Sequence, residues 1–469
     1  MIRKSAISVR QGVLALPLLF FGGLVFAQGD ELALKSRHAR DLMAAGRFAE
    51  AIPIYEELVR AIPGNTGLVL NLSLAEHMAG QNRKAIPHFE TVLKADPRNL
   101  PARLSLGAAY LEIGEPSRAV APLESVVRDD SGNTDARGLL AQSLLAAGRS
   151  REAAVHFQKL TELTPNDPKA WYGLGKSYEA ISTAAFDELN RTAPESCWML
   201  ALLADSRVTR RQYRSAFYLY RQALERNPAM GGVHTAIAEV YRKTGHADWA
   251  AAEAAREPAT PAVANASYQE SKENGRLALA AFSHLAALPE SAELHRIRAE
   301  TMSAQGQHLD AAKEWRAAGV PREAAVELYL GGDYQAAAPL FLQFRPLTPD
   351  WNYMEGDSLL HLEQAEKAIP YLEAALRGDP EMTGAHASLG LAYARAGQPA
   401  KAIPHLEAAA PVDDDGSLAY QLSRAYQTTG QTDQAAKALG RYQEIVKKVQ
   451  AQKDELSKET EITAPPDGK

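Results

Sequence analysis

The sequence has little of three things that would each indicate a class of protein: cysteine, an excess of positive charge, and long apolar runs. Cys197 is the only cysteine among 469 residues, so no disulfide can form within the chain. We interpret Cys197 as a small buried residue, with a reactive thiol as the alternative. The net charge is −6, from 51 basic and 57 acidic residues, which argues against general nucleic-acid binding because that needs a basic face.

The main apolar run, Gly12 to Ala27, is shorter than the roughly 20 residues that a helix needs to cross a bilayer. Basic residues precede this run: Arg3, Lys4 and Arg10. Together these features predict a signal peptide over residues 1–27, cleaved near Ala27–Gln28, with an uncleaved anchor as the alternative. We therefore expect an exported protein, periplasmic or secreted, with no transmembrane segment after cleavage.

Motifs for catalysis, metal binding and cofactor binding are also missing. No two of the 12 histidines are closer than eleven positions, which excludes the His-x-x-x-His spacing on one helix face. The stretch Gly173–Ser177 is similar to the end of a phosphate-binding loop, but Ala170 stands where that motif needs glycine. No strand precedes it, so we interpret Gly175 as a close-packing helix glycine. We expect no catalytic residues, no metal site and no cofactor.

What the sequence does have is an internal repeat with a fixed period. Within Thr66–Pro97 the landmarks are Gly80, Ala85, Phe89 and Pro97. The same spacing gives Gly46, Ala51, Tyr55 and Pro63 upstream, and Gly114, Ala119, Leu123, Gly148, Ala153, Phe157 and Pro165 downstream. Glycine permits a chain reversal at positive φ, and alanine lets two helices approach closely. Each unit is therefore predicted to be a pair of antiparallel helices.

This pattern resembles the tetratricopeptide repeat family, whose 34-residue unit is a helix–turn–helix. The fuller family signature is present as Trp171, Leu174, Gly175 and Tyr178, and in part as Leu106, Gly107 and Tyr110 and as Leu389, Gly390 and Tyr393. The resemblance covers roughly residues 32–442. It implies an all-α fold, a right-handed α-solenoid of stacked helix-turn-helix repeats.

The repeat spacing also predicts the organisation of the chain. The unit after Pro168 is five positions short and lacks its turn glycine, so its two helices should fuse into one long helix near 169–191. A break rich in proline and alanine follows unit seven, with a degenerate unit made of the polar run Ser267–Gly275 and a second helix over Leu277–Leu288. The predicted segments are a signal peptide at 1–27, an N-terminal array of about seven units at 28–256, the break and degenerate unit at 257–290, a C-terminal array of about five units (some trimmed) at 291–442, a capping helix at 443–459 and a disordered tail at 460–469.

The resemblance further implies where a partner binds, because positions 2, 5, 9, 12 and 13 of the family's unit usually face a concave groove. In the first three units these positions include Arg40, Met43, Leu70, Leu74, His77, Met78, Leu104, Leu111 and Glu112. In units five to seven they include Lys169, Tyr172, Lys176, Arg242 and Lys243, and the C-terminal half offers Tyr353, Asp357, His361, Arg395, Tyr420 and Arg424. The alternative for the apolar set is burial against adjacent units, and for the charged set a solvated face.

The leading functional hypothesis is a non-catalytic scaffold or adaptor that binds peptide segments or partner proteins in its concave groove, in the cell envelope of a bacterium. Its partners would be proteins or peptides and not nucleic acid, with membrane association only through a partner. A structural spacer subunit of an envelope transport or polysaccharide-export assembly is the first alternative. A weaker one is a glycan-binding solenoid that uses Trp171, Trp198 and Trp315.

Overall fold

The computed structural model describes residues 19–456, with side chains from residue 31 to residue 450. This range contains 24 α-helices, two short 3-10 helices at Leu342–Phe344 and Ala410–Val412, and no strand. The predicted all-α fold class is confirmed for these residues. Positions 1–18 of the predicted signal peptide, and the predicted tail at 460–469, lie outside the described range.

The chain divides into two compact units, and the first ends at Pro165. Its helices are α1 Leu19–Ala44, α2 Phe48–Ala61, α3 Thr66–Met78, α4 Asn82–Ala95, α5 Leu100–Glu112, α6 Pro116–Asp129, α7 Thr134–Ala146 and α8 Ser150–Leu163. Consecutive helices pack in pairs, and α2, α4 and α6 also contact the first helix of the next pair. This is the stacked arrangement of a helical repeat protein.

The repeat landmarks explain this packing. The turn glycines Gly46, Gly80, Gly114 and Gly148 have φ values of 72°, 75°, 76° and 76°, a conformation that costs other residues energy. The alanines that follow them in each second helix, Ala51, Ala85, Ala119 and Ala153, are completely buried. A methyl group at this position lets the two helices of a pair approach closely, so the repeat in the sequence becomes a repeat in space.

The second unit begins at Asn166. Its helices are α9 Pro168–Thr192, α10 Cys197–Thr209, α11 Tyr213–Arg226, α12 Val233–Lys243, α13 Ala247–Ala254, α14 Ala266–Ala286, α15 Ala292–Ala304, α16 His308–Ala317, α17 Pro321–Leu330, α18 Tyr334–Phe341, α19 Pro349–His361, α20 Ala365–Gly378, α21 Thr383–Arg395, α22 Pro399–Ala408, α23 Ser417–Thr428 and α24 Thr432–Leu456. From α15 onward they form five pairs. The last helix, α24, covers the described part of the expected capping segment.

The long helices α9 and α14 pair with each other although four other helices lie between them in the sequence. Trp171 stacks on His284 with ring centroids 3.7 Å apart, and further along α9 the Ser182 hydroxyl donates to the Ser271 carbonyl at 2.7 Å. As α9 advances from 171 to 182, its contacts on α14 recede from 284 to 271, so the two helices are antiparallel.

This pairing differs from the predicted degenerate unit at 257–290. The structure has a single helix there, and Gly275, which ends the polar run, lies within α14 rather than at a turn. The reason is that α9 is long enough to accompany α14 over most of its length. The pairs α10–α11 and α12–α13 are therefore inserted between two partners, and α15 returns to contact α9.

Within residues 19–456, no helix combines the length and the apolar character needed to cross a membrane.

Candidate functional site

In both units, several first helices of successive pairs contact one another. In the first unit α3 contacts α5 and α5 contacts α7; in the second, α17 contacts α19, α19 contacts α21 and α21 contacts α23. Within each unit, side chains on the outer faces of these contacting helices therefore form a shared surface. We call the surface formed in each unit its first-helix surface, and it is the candidate binding site.

In the first unit this surface is apolar and partly exposed. Met43 on α1, Leu70 and Leu74 on α3, and Leu104 and Leu111 on α5 are all half-buried. Met78, at the end of α3, is 54% exposed, and Arg40 is also exposed. The apolar residues of this set are thus neither fully buried nor fully solvated, and each retains apolar area that a partner could cover.

A hydrogen-bonded chain closes one end of this apolar row. The Nδ1–H of His77 donates to Asn82 Oδ1 at 2.6 Å, and the Asn82 amide donates to Glu112 Oε2 at 2.5 Å. Because these residues belong to α3, α4 and α5, the chain ties three helices together. It also places a polar edge, with the carboxylate of Glu112 exposed, beside Met78.

The predicted groove residues of the middle of the chain have partners within the protein. Tyr172 faces Phe282 of α14 with centroids 6.2 Å apart, and Lys169 Nζ lies 3.3 Å from Glu293 of α15. Lys176 pairs with Glu179, Arg242 with Glu239, and Lys243 with Glu239 at 3.6 Å. The sequence could not indicate the partners of Tyr172 and Lys169, since these come from helices that are distant along the chain.

In the C-terminal part of the first-helix surface, polar and aromatic side chains converge on Asp357. Its carboxylate accepts from the Tyr329 hydroxyl at 2.9 Å and from the Ser388 hydroxyl at 2.5 Å. His361 Nε2 lies 3.6 Å from the same carboxylate. These residues come from three consecutive first helices, α17, α19 and α21. Asp357 is 8% exposed, so its negative charge is held near the surface by neutral hydroxyl donors.

Aromatic rings surround this carboxylate. Tyr329 meets Tyr334 and Tyr353 edge to face, at centroid distances of 5.9 and 6.3 Å, and Tyr334 stacks on His361 at 4.2 Å. Burial, and then the Asp357 charge, raises the pKa of Tyr329, so its hydroxyl remains a donor at neutral pH. We define the Asp357 cluster as Tyr329, Tyr334, Tyr353, Asp357, His361 and Ser388.

The sequence indicated half of this cluster. Tyr353, Asp357 and His361 were expected on the groove, whereas Tyr329, Tyr334 and Ser388 were not. Tyr329 could have been found, because it is the ninth residue of α17 as Asp357 is of α19. Tyr334 begins a second helix, outside the positions that face the groove, and only the packing places it here.

Next to the cluster, the core of α19 contains a carboxylic acid. Glu355 is 2% exposed and stands at the position where α3, α5 and α9 have Leu72, Leu106 and Leu174. Burial raises the pKa of Glu355 to about 7, while Arg345 acts in the opposite direction. One of its carboxylate oxygens is buried without a hydrogen-bond partner, which is costly for the ionised form.

In the part of the chain that the structure describes, no three histidine, cysteine, aspartate or glutamate side chains are grouped to hold a metal ion. A stacked array of helix pairs whose first helices share one surface defines a helical repeat protein, and such a surface is where this class binds. One tetratricopeptide repeat family model matches residues 76–143 and 114–177, and a second matches residues 36–82 and 353–417. The chain belongs to the tetratricopeptide repeat family.

Several solved structures are similar to the chain. MamA from Desulfovibrio magneticus is 22% identical over 35% of this chain and 97% of that chain, with a TM-score of 0.31. A tetratricopeptide repeat protein from Parabacteroides merdae is 14% identical over 64% and 98%, with a TM-score of 0.32. Yeast Tom70 is 13% identical over 91% and 95%, with a TM-score of 0.29. No curated protein matches the chain.

Proposed function

We propose that this protein is a non-catalytic interaction scaffold of the cell envelope, which binds peptide segments or partner proteins on its first-helix surface. The observation that carries the proposal is the row of half-buried leucines on α3 and α5, which ends at the 54% exposed Met78. Apolar side chains left partly exposed at regular spacing suit a partner with its own apolar stripe. Unbranched methionine adapts to partners of different shape.

The polar chain of His77, Asn82 and Glu112 supports the same proposal. It lies at the end of the apolar row, where a bound segment would leave the leucines. Apolar side chains supply most of the affinity in such a groove, and a few fixed polar groups set the register of the bound backbone. The Glu112 carboxylate is exposed and available to a backbone N–H or a cation of the partner.

The location in the envelope rests on the sequence pattern of residues 1–27. Mass spectrometry of the protein from its native cells, after separation of periplasm and cytoplasm, tests this part. We expect a mature N-terminus at Gln28 in the periplasmic or secreted fraction. A cytoplasmic protein that retains residues 1–27 would refute the location and leave the binding surface untouched.

Crosslinking in whole cells, followed by affinity capture and mass spectrometry, tests the surface. The double variant Leu74→Asp/Met78→Asp places two carboxylates in the apolar row, and we expect partner recovery to fall about tenfold or more, because burying an unpaired charge costs at least about 1.4 kcal/mol. Val155→Asp is the matched control, since Val155 is a 65% exposed apolar residue on the second helix α8. Circular dichroism must show that both variants remain folded. Equal recovery from the double variant and the control would refute the proposal for the first unit.

A further inference from the structure

Two aspartates occupy the same position in different repeats of the second unit. Asp205 is the ninth residue of α10, and Asp357 is the ninth residue of α19. Both lie on first helices, and both accept a hydrogen bond from a tyrosine hydroxyl: Tyr220 donates to Asp205 at 2.5 Å and Tyr329 donates to Asp357 at 2.9 Å. The two sites can therefore be compared within one molecule.

At Asp205 the chain supplies a cation. Lys272, from α14, places its Nζ 3.3 Å from Asp205 Oδ2 and 5.5 Å from the centroid of the Tyr268 ring. The Tyr268 ring packs in turn on Trp198 at 5.0 Å. A carboxylate and an aromatic face thus hold the same ammonium group, which is favourable because both attract positive charge.

At Asp357 the corresponding cation is missing from the described residues. No lysine or arginine among them forms an ion pair with Asp357, and the only basic side chain paired with it there is His361, at 3.6 Å. No lysine or arginine of residues 31–450 covers the rings of Tyr329, Tyr334 or Tyr353 either.

Elsewhere the chain covers tyrosine rings with its own cations. Arg118 lies 4.3 Å from the ring centroid of Tyr110, and Lys401 lies 5.3 Å from that of Tyr393. The Asp357 cluster therefore has the carboxylate and the rings of a cation site, but the described part of the chain supplies no lysine or arginine to it.

The geometry points to the Asp357 cluster as a subsite for a positively charged side chain, arginine or lysine, of the bound partner segment. This inference rests on the proposed function and names the chemistry of the ligand at one place on the surface. The partner's cation would take the role that Lys272 has at Asp205. Both side chains retain contact with solvent, since that of Asp357 is 11% exposed and that of His361 is 51% exposed.

The cluster is also suited to select charge. Tyr329 and Ser388 each donate to a different oxygen of Asp357, which fixes the carboxylate and leaves lone pairs for a further donor. Aromatic faces attract an ammonium or guanidinium group but give a neutral polar group little. Tyr334 is half-buried and has one face stacked on His361. We therefore expect discrimination between a cation and a neutral group of the same shape.

Saturation-transfer NMR on the full chain tests this with two probes, N-acetyl-arginine amide and N-acetyl-citrulline amide, which have nearly the same shape and differ in charge. We expect the arginine probe to give at least about threefold more transfer than the citrulline probe, since cation–π and carboxylate contacts are weak individually but act together. Asp357→Asn and Tyr334→Leu should each remove this preference. Asp350→Asn, an exposed carboxylate on the same helix, is the matched control and should retain it.

The Asp205 site provides a converse experiment. Lys272→Met removes the internal cation, and we expect arginine transfer to increase by up to about twofold, because a second site of the same kind opens. Adding Asp205→Asn should cancel the increase. A nonapeptide of glycine and serine with one central arginine distinguishes a partner segment from a free small cation, because a groove ligand should bind more tightly than the amide.

Three outcomes would overturn the inference: equal transfer to the two probes, transfer unchanged by Asp357→Asn, or a peptide that binds no better than the amide. These are distinguishable from failure of the proposed function. Loss of partner recovery in Leu74→Asp/Met78→Asp, together with equal transfer to both probes, would leave the scaffold in place and refute only the cation subsite.

Discussion

The first-helix surfaces of the two units are built on the same kind of helix pair but have different side chains. In the first unit the fifth and ninth residues of α3 are Leu70 and Leu74, and in the second unit those of α19 are Tyr353 and Asp357. The change is from an aliphatic row to an aromatic and acidic cluster. It occurs without a change in how the helices of a pair pack.

The two units share the way in which a first helix packs on its neighbour, as two glycine positions show. A Cβ on Gly107 would lie 2.5 Å from Leu123 Cγ, and a Cβ on Gly390 would lie 2.8 Å from Leu406 Cγ. Both are the eighth residue of a first helix, and both are followed one turn later by a tyrosine that hydrogen-bonds a glutamate of the preceding helix: Tyr110 to Glu90 and Tyr393 to Glu373. Packing positions therefore determine the fold, while the fifth and ninth positions are free to determine what is bound.

The largest effect is expected where a first helix packs most closely on its second helix, at Gly107 in the first unit and Gly390 in the second. Gly107→Leu and Gly390→Leu should each destabilise the protein by about 3 kcal/mol, because the added side chain has no space beside Leu123 or Leu406 and overpacking strains the core. Urea unfolding followed by circular dichroism measures both. A large effect in one unit and tolerance in the other would contradict the comparison.

Gly138→Ala is the matched control for these variants. Gly138 lies in α7, and a Cβ there would only reach Leu160 at 4.0 Å. Alanine is favoured over glycine inside a helix by up to about 1 kcal/mol, so this variant should be neutral or stabilising. Destabilisation by Gly138→Ala would mean that helix glycines in this protein are sensitive for a reason other than space.

Glu355 distinguishes α19 from α3 and α5, which have leucine at the same helix position. Its folded-state pKa is raised from 4.5 to about 7, so the folded protein binds more protons than the unfolded chain between these values. The free energy of unfolding should therefore fall as the pH rises through this window, by about 2.5 kcal/mol between pH 5 and pH 8. Urea midpoints across the pH range measure it.

Glu355→Gln keeps the shape of the side chain and removes its titration, so the fall in stability between pH 5 and pH 8 should shrink by about 2.5 kcal/mol. Glu366→Gln, an exposed residue on α20, is the control and should leave the pH profile unchanged. Identical profiles for the wild type and Glu355→Gln would show that the buried carboxyl does not titrate in this window.

Features of the fold that recur in every repeat can be predicted from the sequence, whereas features that occur once cannot. The glycine turns and buried alanines follow a fixed period, because each repeat must solve the same packing problem, and these positions predicted the all-α fold. The pairing of α9 with α14 is not announced by any repeated sequence feature. It depends on a turn that is missing before Phe186 and on a helix that begins at Ala266. Local sequence patterns contain information about the helix pairs of each repeat, but not about which distant helices pair with each other.

The candidate site divides in the same way. Position numbers within the repeat predicted that Leu74 and Asp357 lie on the groove side of their helices, because side-chain direction on a helix is periodic. They could not show that Tyr172 would be covered by Phe282, or that Tyr334 would stack on His361. In each contact, a residue at a predicted groove position of a first helix meets a residue that is not at such a position. Only the packing of the helices brings the two residues together.

First helices of both units have side-chain caps, as at α3 and α9, but α21 of the second unit does not. Supplying a cap there should have the smallest effect. In the first unit Asn99 caps α5, and its side chain accepts from the backbone N–H of Ala102 at 3.1 Å. In the second unit Met382 has the same place before α21, with similar extended backbone angles of φ −68° and ψ 91°, but its side chain makes no cap hydrogen bond. Met382→Asn should supply the missing acceptor and raise the free energy of unfolding by about 1 kcal/mol.

Thermal and urea unfolding of this variant measure the gain, and Asn99→Met should lose about as much in the first unit. Met382→Gln is the matched control, because its amide is one methylene longer and cannot reach the backbone N–H of Ala385 in the cap geometry. If asparagine and glutamine at 382 have the same effect, the difference between α5 and α21 at this position lies in hydrophobic contact of the methionine and not in capping.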